Sequence, residues 1–337
     1  MSTLGRGMMI ALAPLLLTIG MAYGQSITLN QSGIGHTVSV TQEPLGPTKT
    51  NQAVITQAGA YHRVDGFLQY GPRNLLTVEQ QGENNVIGEW ADQGRPGSPS
   101  YDGTIVIEQL GHGHEVWEAD QAGHRNELTI EQRNGGGVSA GNFADVEMQW
   151  TTLGRTRGNE ATILQTGVGN RVGAKDKGSG LVQVGTGNVA TVTQDGNGNH
   201  AATRADHALP AGGLHSLPPP PHDPFVQHGV SNSVTIEQDG ADVLHFALQK
   251  GTKNELTVSQ AGDQGTPNVV ASTQRGRQNR VSVDQFGEGA FANVRQEPGG
   301  SGKARNNTVT VTQYGASGKR AYIAQHGPSN RSVVTQL

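Results

Sequence analysis

The sequence has no cysteine and few aromatic residues, which make up 4% of its 337 residues, and its hydrophobic fraction is only 34%. A globular chain of this length ordinarily buries a large apolar core and often divides into two domains. The apolar residues here are too sparse for such a core, so the chain is either disordered or folded around a partly polar interior. The lack of cysteine excludes disulfides as the source of its stability.

A surplus of positive charge is also lacking, since the formal net charge is −4. A nucleic-acid-binding protein needs basic residues to neutralise phosphates. The composition therefore argues against nucleic acid as a partner.

Long hydrophobic runs are absent except near the start, where Arg6 precedes the apolar run Met8–Met21. Small residues follow at Ala22 and Gly24, directly before Gln25. The run is shorter than the roughly 20 residues of a membrane-spanning helix, and its flanks are those of a secretory signal peptide. We predict a signal peptide at residues 1–24 and a secreted mature chain, with a short N-terminal anchor as the alternative.

What the sequence has in abundance is glutamine at a fixed spacing, together with 49 glycines. Gln227, Gln238, Gln249 and Gln260 follow one another at intervals of eleven residues. Glycine usually stands two residues after the glutamine, where it supplies a tight turn. Self-similarity of this kind is typical of repeat architectures.

The residues before the glutamines predict β-strands. NLLTVEQ (74–80), NELTVSQ (254–260) and NTVTVTQ (307–313) are rich in β-branched residues and alternate with period two. The alternation places asparagine, two aliphatic residues and glutamine on one face of each strand. Other half-units, such as RAYIAQ (320–325), carry smaller inward residues, so strong and weak strands alternate.

We therefore predict an all-β fold, a β-solenoid (β-helix) of stacked strand-turn-strand-turn coils of about 22 residues. Stacking brings equivalent asparagines and glutamines into register, so that their buried amides bond to each other as ladders. This arrangement would explain the polar interior. The ladder and turn residues predicted to carry self-assembly are Asn74, Gln80, Asn126, Gln132, Asn188, Gln194, Asn232, Gln238, Gly240, Asn254, Gln260, Gly262, Asn279, Gln285, Gly287, Asn307, Gln313, Gly315 and Gln336.

The repeats divide into two arrays, at residues 25–200 and 226–337, with a proline-rich loop or spacer at 201–225. That spacer contains Pro218–Pro221, and proline cannot donate a hydrogen bond to a β-ladder. One continuous solenoid with a loop is the preferred interpretation, and two separate solenoids are the alternative. The strand Ser332–Gln336 is predicted to offer an open edge to another chain.

The string Q-x-G-x-x-N, followed by a short strand and a second glutamine, occurs in QDGNGNHAATRA (194–205), QRGRQNRVSVDQ (274–285) and QHGPSNRSVVTQ (325–336). This motif resembles that of the curlin family, whose members are subunits of the amyloid surface fibres called curli. The resemblance extends over nearly all of the predicted mature chain.

The resemblance implies a structural subunit, whether major, minor or nucleating, of extracellular curli-type fibres that mediate adhesion and biofilm matrix formation. The expected partners are the chain itself, other curlin subunits, an outer-membrane curli secretion pore and accessory chaperones. The expected location is a cell-surface fibre, or pilus. No cofactor and no catalytic residue is expected.

Other functions would need patterns that the sequence supplies poorly. A polysaccharide-acting solenoid enzyme needs paired acids, whereas Glu237 and Asp284 fall on separate outward positions. An ice-binding or surface-binding solenoid needs unbroken rows of threonine, which residues such as Glu79 and Glu131 interrupt.

Metal sites are also weakly indicated. Asp195, Asn197 and Asn199 imitate the start of a calcium loop, but its sixth position holds His200 in place of glycine. The same residues fit the turn of the repeat, which is the preferred interpretation. Four histidines near the proline segment could in principle bind a metal, although their wide spacing favours solvated side chains. They are His207, His215, His222 and His228.

Overall fold

The computed structural model describes residues 17–20, 25–43, 50–90, 92–95, 98–134, 141–151, 158–173, 180–201, 225–240, 243–262, 266–298, 305–315 and 318–337. Every regular element in these ranges is a β-strand, and the strands belong to two sheets. No helix in the described part of the chain is long and apolar enough to cross a membrane. The predicted all-β class is confirmed.

The first sheet has 12 strands and takes the strong half of each repeat. Its strands, in spatial order, are β2 (Ser26–Ile34), β4 (Gln52–Ala60), β6 (Leu75–Glu83), β10 (Thr104–His112), β12 (Glu127–Arg133), β14 (Glu160–Val168), β17 (Val189–Asn197), β20 (Ser233–Gly240), β22 (Glu255–Ala261), β24 (Arg280–Gly287), β26 (Thr308–Gly315) and β28 (Arg331–Gln336).

The second sheet has 16 strands and takes the weaker half-units. Its strands, in chain order, are β1 (Leu17–Gly20), β3 (Thr37–Glu43), β5 (Arg63–Tyr70), β7 (Val86–Trp90), β8 (Asp92–Arg95), β9 (Ser98–Tyr101), β11 (Glu115–His124), β13 (Phe143–Thr151), β15 (Arg171–Val172), β16 (Leu181–Thr186), β18 (His200–Ala201), β19 (Phe225–Val230), β21 (Val243–Thr252), β23 (Val269–Arg277), β25 (Phe291–Glu297) and β27 (Arg320–His326).

The chain passes from one sheet to the other and back, so each strand pairs in parallel with the strand one coil away. In the first sheet, Gln80 faces Gln57 on one side and Gln109 on the other, with no register shift. Of the pairings among the described strands, only that between β8 and β9 is antiparallel. The predicted β-solenoid is therefore confirmed.

The core lies between the two sheets, because alternate side chains of the strands point inward wherever they are described. In β24, Val281, Val283 and Gln285 are buried, whereas the residues between them are partly exposed. The second sheet contributes smaller inward residues, such as Ala292 and Ala321. The small residues predicted for the weaker half-units are confirmed at these positions.

Both sheets continue on the two sides of residues 202–224, which lie outside the described part of the chain. Strand β17 pairs with β20, placing Thr191 opposite Thr235, and β16 pairs with β19. The predicted proline-rich loop at 201–225 falls almost wholly outside the described residues. Within the predicted signal peptide, Leu17–Gly20 forms β1, which pairs with β3.

Candidate assembly site: two amide ladders and their open ends

A ladder of glutamine side chains runs the length of the first sheet. At each step the Nε2 of one glutamine donates to the Oε1 of the glutamine in the next strand, over 2.6 to 3.1 Å. The members, in order, are Gln31, Gln57, Gln80, Gln109, Gln132, Gln165, Gln194, Gln238, Gln260, Gln285, Gln313 and Gln336. The predicted glutamines of the site thus lie in one continuous row.

Most of these amides also bond across the core to the other sheet. Gln194 Nε2 donates a second hydrogen bond to the Arg171 carbonyl oxygen at 3.1 Å, and Gln165 Nε2 does the same to Phe143 at 3.0 Å. A primary amide has two donor hydrogens, and both are used here. Because buried amides need partners, this pattern stabilises the polar interior and ties the two sheets together.

A second glutamine ladder, absent from the predicted site, follows the second sheet. Its described steps run from Gln42 through Gln69 to Gln93, and again from Gln183 to Gln325. Gln249 Nε2 bonds across the core to the Ser233 carbonyl oxygen at 2.9 Å. The sequence signal for this ladder is the same spacing of eleven residues, carried by the weaker half-units.

Asparagine holds the corner that precedes ten of the twelve strands of the first sheet. The Oδ1 of Asn232 accepts both the backbone N–H of Asn254, at 3.1 Å, and its Nδ2, also at 3.1 Å. Asn279 repeats this arrangement on Asn254. The row is interrupted where Gly103 takes the corner between Asn74 and Asn126. The predicted asparagines are therefore corner residues that fix the stacking of successive turns.

Most of the fully described turns that follow a glutamine contain two residues with positive φ, and sequence reasoning found only the first. The first is the predicted glycine: φ is 114° at Gly240, and a Cβ built there would lie 1.9 Å from the Gly262 carbonyl oxygen. The second directly precedes the corner asparagine, as at Lys253 with φ of 55° and Gln278 with φ of 54°. The fixed spacing Q-x-G-x-x-N is the signal that marks both positions.

The ladders have a direction, so the two ends of the solenoid differ. Every step donates toward the C-terminal neighbour, which leaves the Oε1 of Gln31 without a donor among the described residues. In the second sheet the Oε1 of Gln42 is buried and has no hydrogen-bond partner in the described part of the chain. The opposite end carries Gln336, whose Nε2 donates to the Arg320 carbonyl oxygen, and Gln325, whose Nε2 donates to the Thr308 carbonyl oxygen and to Ser332 Oγ. The geometry thus places acceptors at one end and donors at the other.

The outward face carries rows of like residues. Thr129, Thr162, Thr191 and Thr235 stack in register, but the row two residues further along holds Glu79, Glu108 and Glu131 in adjacent strands. An unbroken double row of threonine, as an ice-binding face requires, does not form there. Arg133 bonds to Glu108 at 3.1 Å and partly compensates the row of acids.

The outward carboxylates named above for a hydrolase do not form a pair. Asp284 lies between Ser259 and Thr312 on the neighbouring strands, and partial burial raises its pKa. Within the described ranges no group of three or more His, Cys, Asp or Glu side chains could hold a metal ion. His228 is exposed on β19, whereas His207, His215 and His222 lie outside those ranges.

No protein-family model matches the chain, and no curated protein sequence matches it.

Proposed function

We propose that the chain is a structural subunit of extracellular, curli-type amyloid fibres, in which copies stack end to end. The observation that carries this proposal is the polarity of the amide ladders. One end of the solenoid has unpaired acceptors and the other has amide donors. A second copy can therefore extend the first ladder directly, and the second ladder once β1 is removed and Gln325 Nε2 releases Ser332 Oγ. Such stacking also pairs the backbone groups of the two edge strands, as cross-β fibres require.

In the first sheet, β28 of one copy receives β2 of the next in parallel. If this contact keeps the register found inside the molecule, Arg331 aligns with Ser26 and Gln336 with Gln31. Both strands begin directly after a corner residue, and their glutamines lie at the same distance from the first residue of the strand. Gln336 Nε2 then donates to Gln31 Oε1 of the second copy. This contact reproduces the step that Gln313 makes to Gln336, over 2.6 Å.

In the second sheet, β1 pairs with β3 and would compete with an incoming copy. Removal of residues 1–24 as a signal peptide uncovers the edge of β3 and the buried, unpartnered Oε1 of Gln42. Gln325 Nε2 of the neighbouring copy, which donates to Ser332 Oγ at 3.0 Å in the single chain, then has a ladder acceptor. Processing and assembly are thereby coupled.

The test is polymerisation of residues 25–337 in vitro. We expect an amyloid-dye response and fibre diffraction with a reflection at about 4.7 to 4.8 Å along the fibre axis. A soluble, monomeric solenoid that gives neither signal at any concentration tested would contradict the proposal.

A matched pair of variants tests the ladder contact. Gln336→Ala removes the donor at the end of the first ladder and should slow elongation. Gln52→Ala changes an exposed side chain on β4 and should not alter the rate. Equal elongation rates in the two variants would rule out this contact as the growth contact.

We further propose that the chain leaves the cell unfolded, through a dedicated outer-membrane pore with accessory chaperones, and that the fibre mediates adhesion and matrix formation. A rod that stacks on its own copies would polymerise early if it folded in the periplasm. Low hydrophobicity and the absence of cysteine are compatible with delayed folding. Detection of a folded, protease-resistant chain in the periplasm of secreting cells would contradict this route.

A further inference from the structure

Histidine replaces asparagine at several corners before strands of the second sheet. His62 and His114 precede β5 and β11, and Asn85, between them, precedes β7. Both histidines are fully buried, with no exposed surface. They lie outside the histidine group that the sequence singled out, and nothing in the assembly ladders above uses them.

Each histidine makes the two hydrogen bonds of the corner asparagine. Asn85 donates its side-chain N–H to the Gln81 carbonyl oxygen at 3.0 Å, and its Oδ1 accepts the backbone N–H of His114 at 3.0 Å. His114 places Nε2 at 3.0 Å from the Leu110 carbonyl oxygen and Nδ1 at 3.1 Å from the backbone nitrogen of Asn142. In Asn85 and His114 alike, a side-chain nitrogen faces the carbonyl oxygen four positions earlier. The acceptor atom, Oδ1 or Nδ1, faces a backbone N–H of the next coil.

His62 has the same geometry as His114 and lies one step below Asn85 in the stack. Its Nε2 lies 3.0 Å from the Ala58 carbonyl oxygen, and its Nδ1 lies 3.3 Å from the backbone nitrogen of Asn85. A backbone N–H can only donate and a carbonyl oxygen can only accept. The two fixed partners therefore require the neutral ring with its proton on Nε2 and a bare Nδ1.

Protonation of either ring would place a second N–H at Nδ1, directly against the backbone N–H of the next coil. The contact would change from a hydrogen bond to a donor–donor repulsion, with a positive charge inside the solenoid. We propose that His62 and His114 make the stack of corners from β5 to β13 an acid-sensitive joint. It opens as the pH falls below the ordinary histidine value of about 6.5, while the rest of the described solenoid, which holds no other buried histidine, stays closed. The proposal concerns the single chain and does not depend on fibre formation.

The surroundings of His62 and His114 favour the neutral ring, chiefly because the rings are buried. Burial lowers the pKa of His62; the hydrogen bond to Ala58 opposes this, and His36 and His112 lower it further, while Glu83 raises it. Burial also lowers the pKa of His114, against its bond to Leu110 and together with His112. His36 stacks on His62 with ring centroids 5.1 Å apart.

The direction of the effect follows from these shifts. When the folded state holds a histidine with a lowered pKa, the unfolded or opened state binds the proton more readily. The contribution of the neutral histidine to stability is then fully present above the ordinary histidine pKa of about 6.5. It falls as the pH drops below that value toward the lowered pKa of the histidine in the folded state. Acid therefore opens this joint.

The first test uses the unmodified sequence of residues 25–337 with ring-¹⁵N-labelled histidine. Long-range ¹H–¹⁵N correlation spectra should show two histidines as the Nε2–H tautomer at about pH 7.5, and both should titrate below pH 6.5. An Nδ1–H tautomer at these positions would overturn the proposal, as would titration at or above the ordinary value. This test needs no variant and so is not exposed to misfolding.

The second test measures hydrogen exchange by mass spectrometry at about pH 7.5 and about pH 5, corrected for intrinsic exchange. Peptides covering 63–90 and 115–124 should lose protection several-fold in acid, and the peptide 280–315 should not. The double variant His62→Asn/His114→Asn keeps both corner bonds and should abolish this response. An unchanged response in the double variant would refute the joint.

A reciprocal variant transfers the property to another corner. Asn170 donates to the Thr166 carbonyl oxygen at 2.8 Å, and its Oδ1 accepts the backbone N–H of Asn199 at 3.0 Å. Asn170→His should therefore make the stacking of β15 on β18 acid-sensitive, seen as a several-fold loss of protection at residues 171–173 and 199–201. If these amides stay equally protected at both pH values in a variant with native circular dichroism, the corner histidine does not carry the response.

Discussion

Gln194 Nε2 donates to Gln238 Oε1 at 2.8 Å, although 44 residues of chain separate the two glutamines. A neighbouring step, from Gln238 to Gln260, spans 22 residues and measures 3.1 Å. The ladder thus passes the proline-rich segment without losing a rung. The amide row, and not the length of the connecting chain, keeps the coils in register.

The first prediction concerns this row. Gln238→Leu leaves the Nε2 of Gln194 and the Oε1 of Gln260 without ladder partners in the core. Each of these two polar groups costs about 1 to 3 kcal/mol when it loses its partner, so we expect a loss of about 2 to 6 kcal/mol in the free energy of unfolding. Chemical denaturation followed by circular dichroism measures the loss. The control is Gln81→Leu at an exposed site on β6, and a similar loss there would contradict the ladder's role.

The second prediction tests the turn glycines. Gly240→Ala should destabilise the chain strongly, because φ is 114° and the added Cβ would lie 1.9 Å from the Gly262 carbonyl oxygen. Gly198→Ala also has positive φ, at 75°, but its Cβ would meet no atom within 4 Å. We expect about 1 to 2 kcal/mol for Gly198→Ala, from backbone strain alone, and a clearly larger loss for Gly240→Ala. Thermal melts of the two variants give the comparison, and equal melting temperatures would contradict it.

The third prediction concerns the C-terminal edge strand β28, whose Val333 is 59% exposed. Replacing Val333 and Val334 together with proline removes two successive backbone N–H donors, one facing the open edge and one facing β26, and should slow fibre elongation. Secretion should be unaffected. Seeded elongation rates measure the effect, with Leu337→Pro, outside β28, as the control. Because each proposed joint pairs β28 of one copy with β2 of the next, elongation at the wild-type rate in the double proline variant would contradict that joint.

The fourth prediction is a pH dependence at the surface. Arg73 Nη2 donates to Asp102 Oδ2 at 2.9 Å, and this hydrogen bond lowers the pKa of the Asp102 carboxyl. A lowered carboxyl pKa contributes stability above the ordinary aspartate pKa of about 4, and the contribution is lost as the pH falls through the folded pKa. Arg73→Gln should raise the pKa of Asp102 toward its ordinary value, measured by carboxyl ¹³C NMR titration. Because the pair is largely exposed, the melting temperature at neutral pH should change little, and an unaltered Asp102 titration would contradict the assignment.

Much of this architecture could be predicted from local pattern. The alternation in NELTVSQ (254–260) identified Asn254 and Gln260 as inward residues, and both are buried and bonded to their counterparts in adjacent coils. The glycine after each glutamine marked a turn with positive φ, as at Gly287. These features follow from the period-two geometry of a strand and from the steric freedom of glycine, which are local properties of the chain.

The sequence alone determined that the chain repeats, that its strands alternate, and that its amides point inward. Only the tertiary structure decided which coil stacks on which across 202–224, where the second hydrogen of each glutamine amide goes, and that His62 and His114 act as asparagines. The physical reason is that stacking partners and ring tautomers depend on backbone groups brought together from distant parts of the chain, as when the N–H of Asn142 meets His114 Nδ1 across 28 residues. No local pattern encodes that meeting, because it exists only once neighbouring coils are closed and in register.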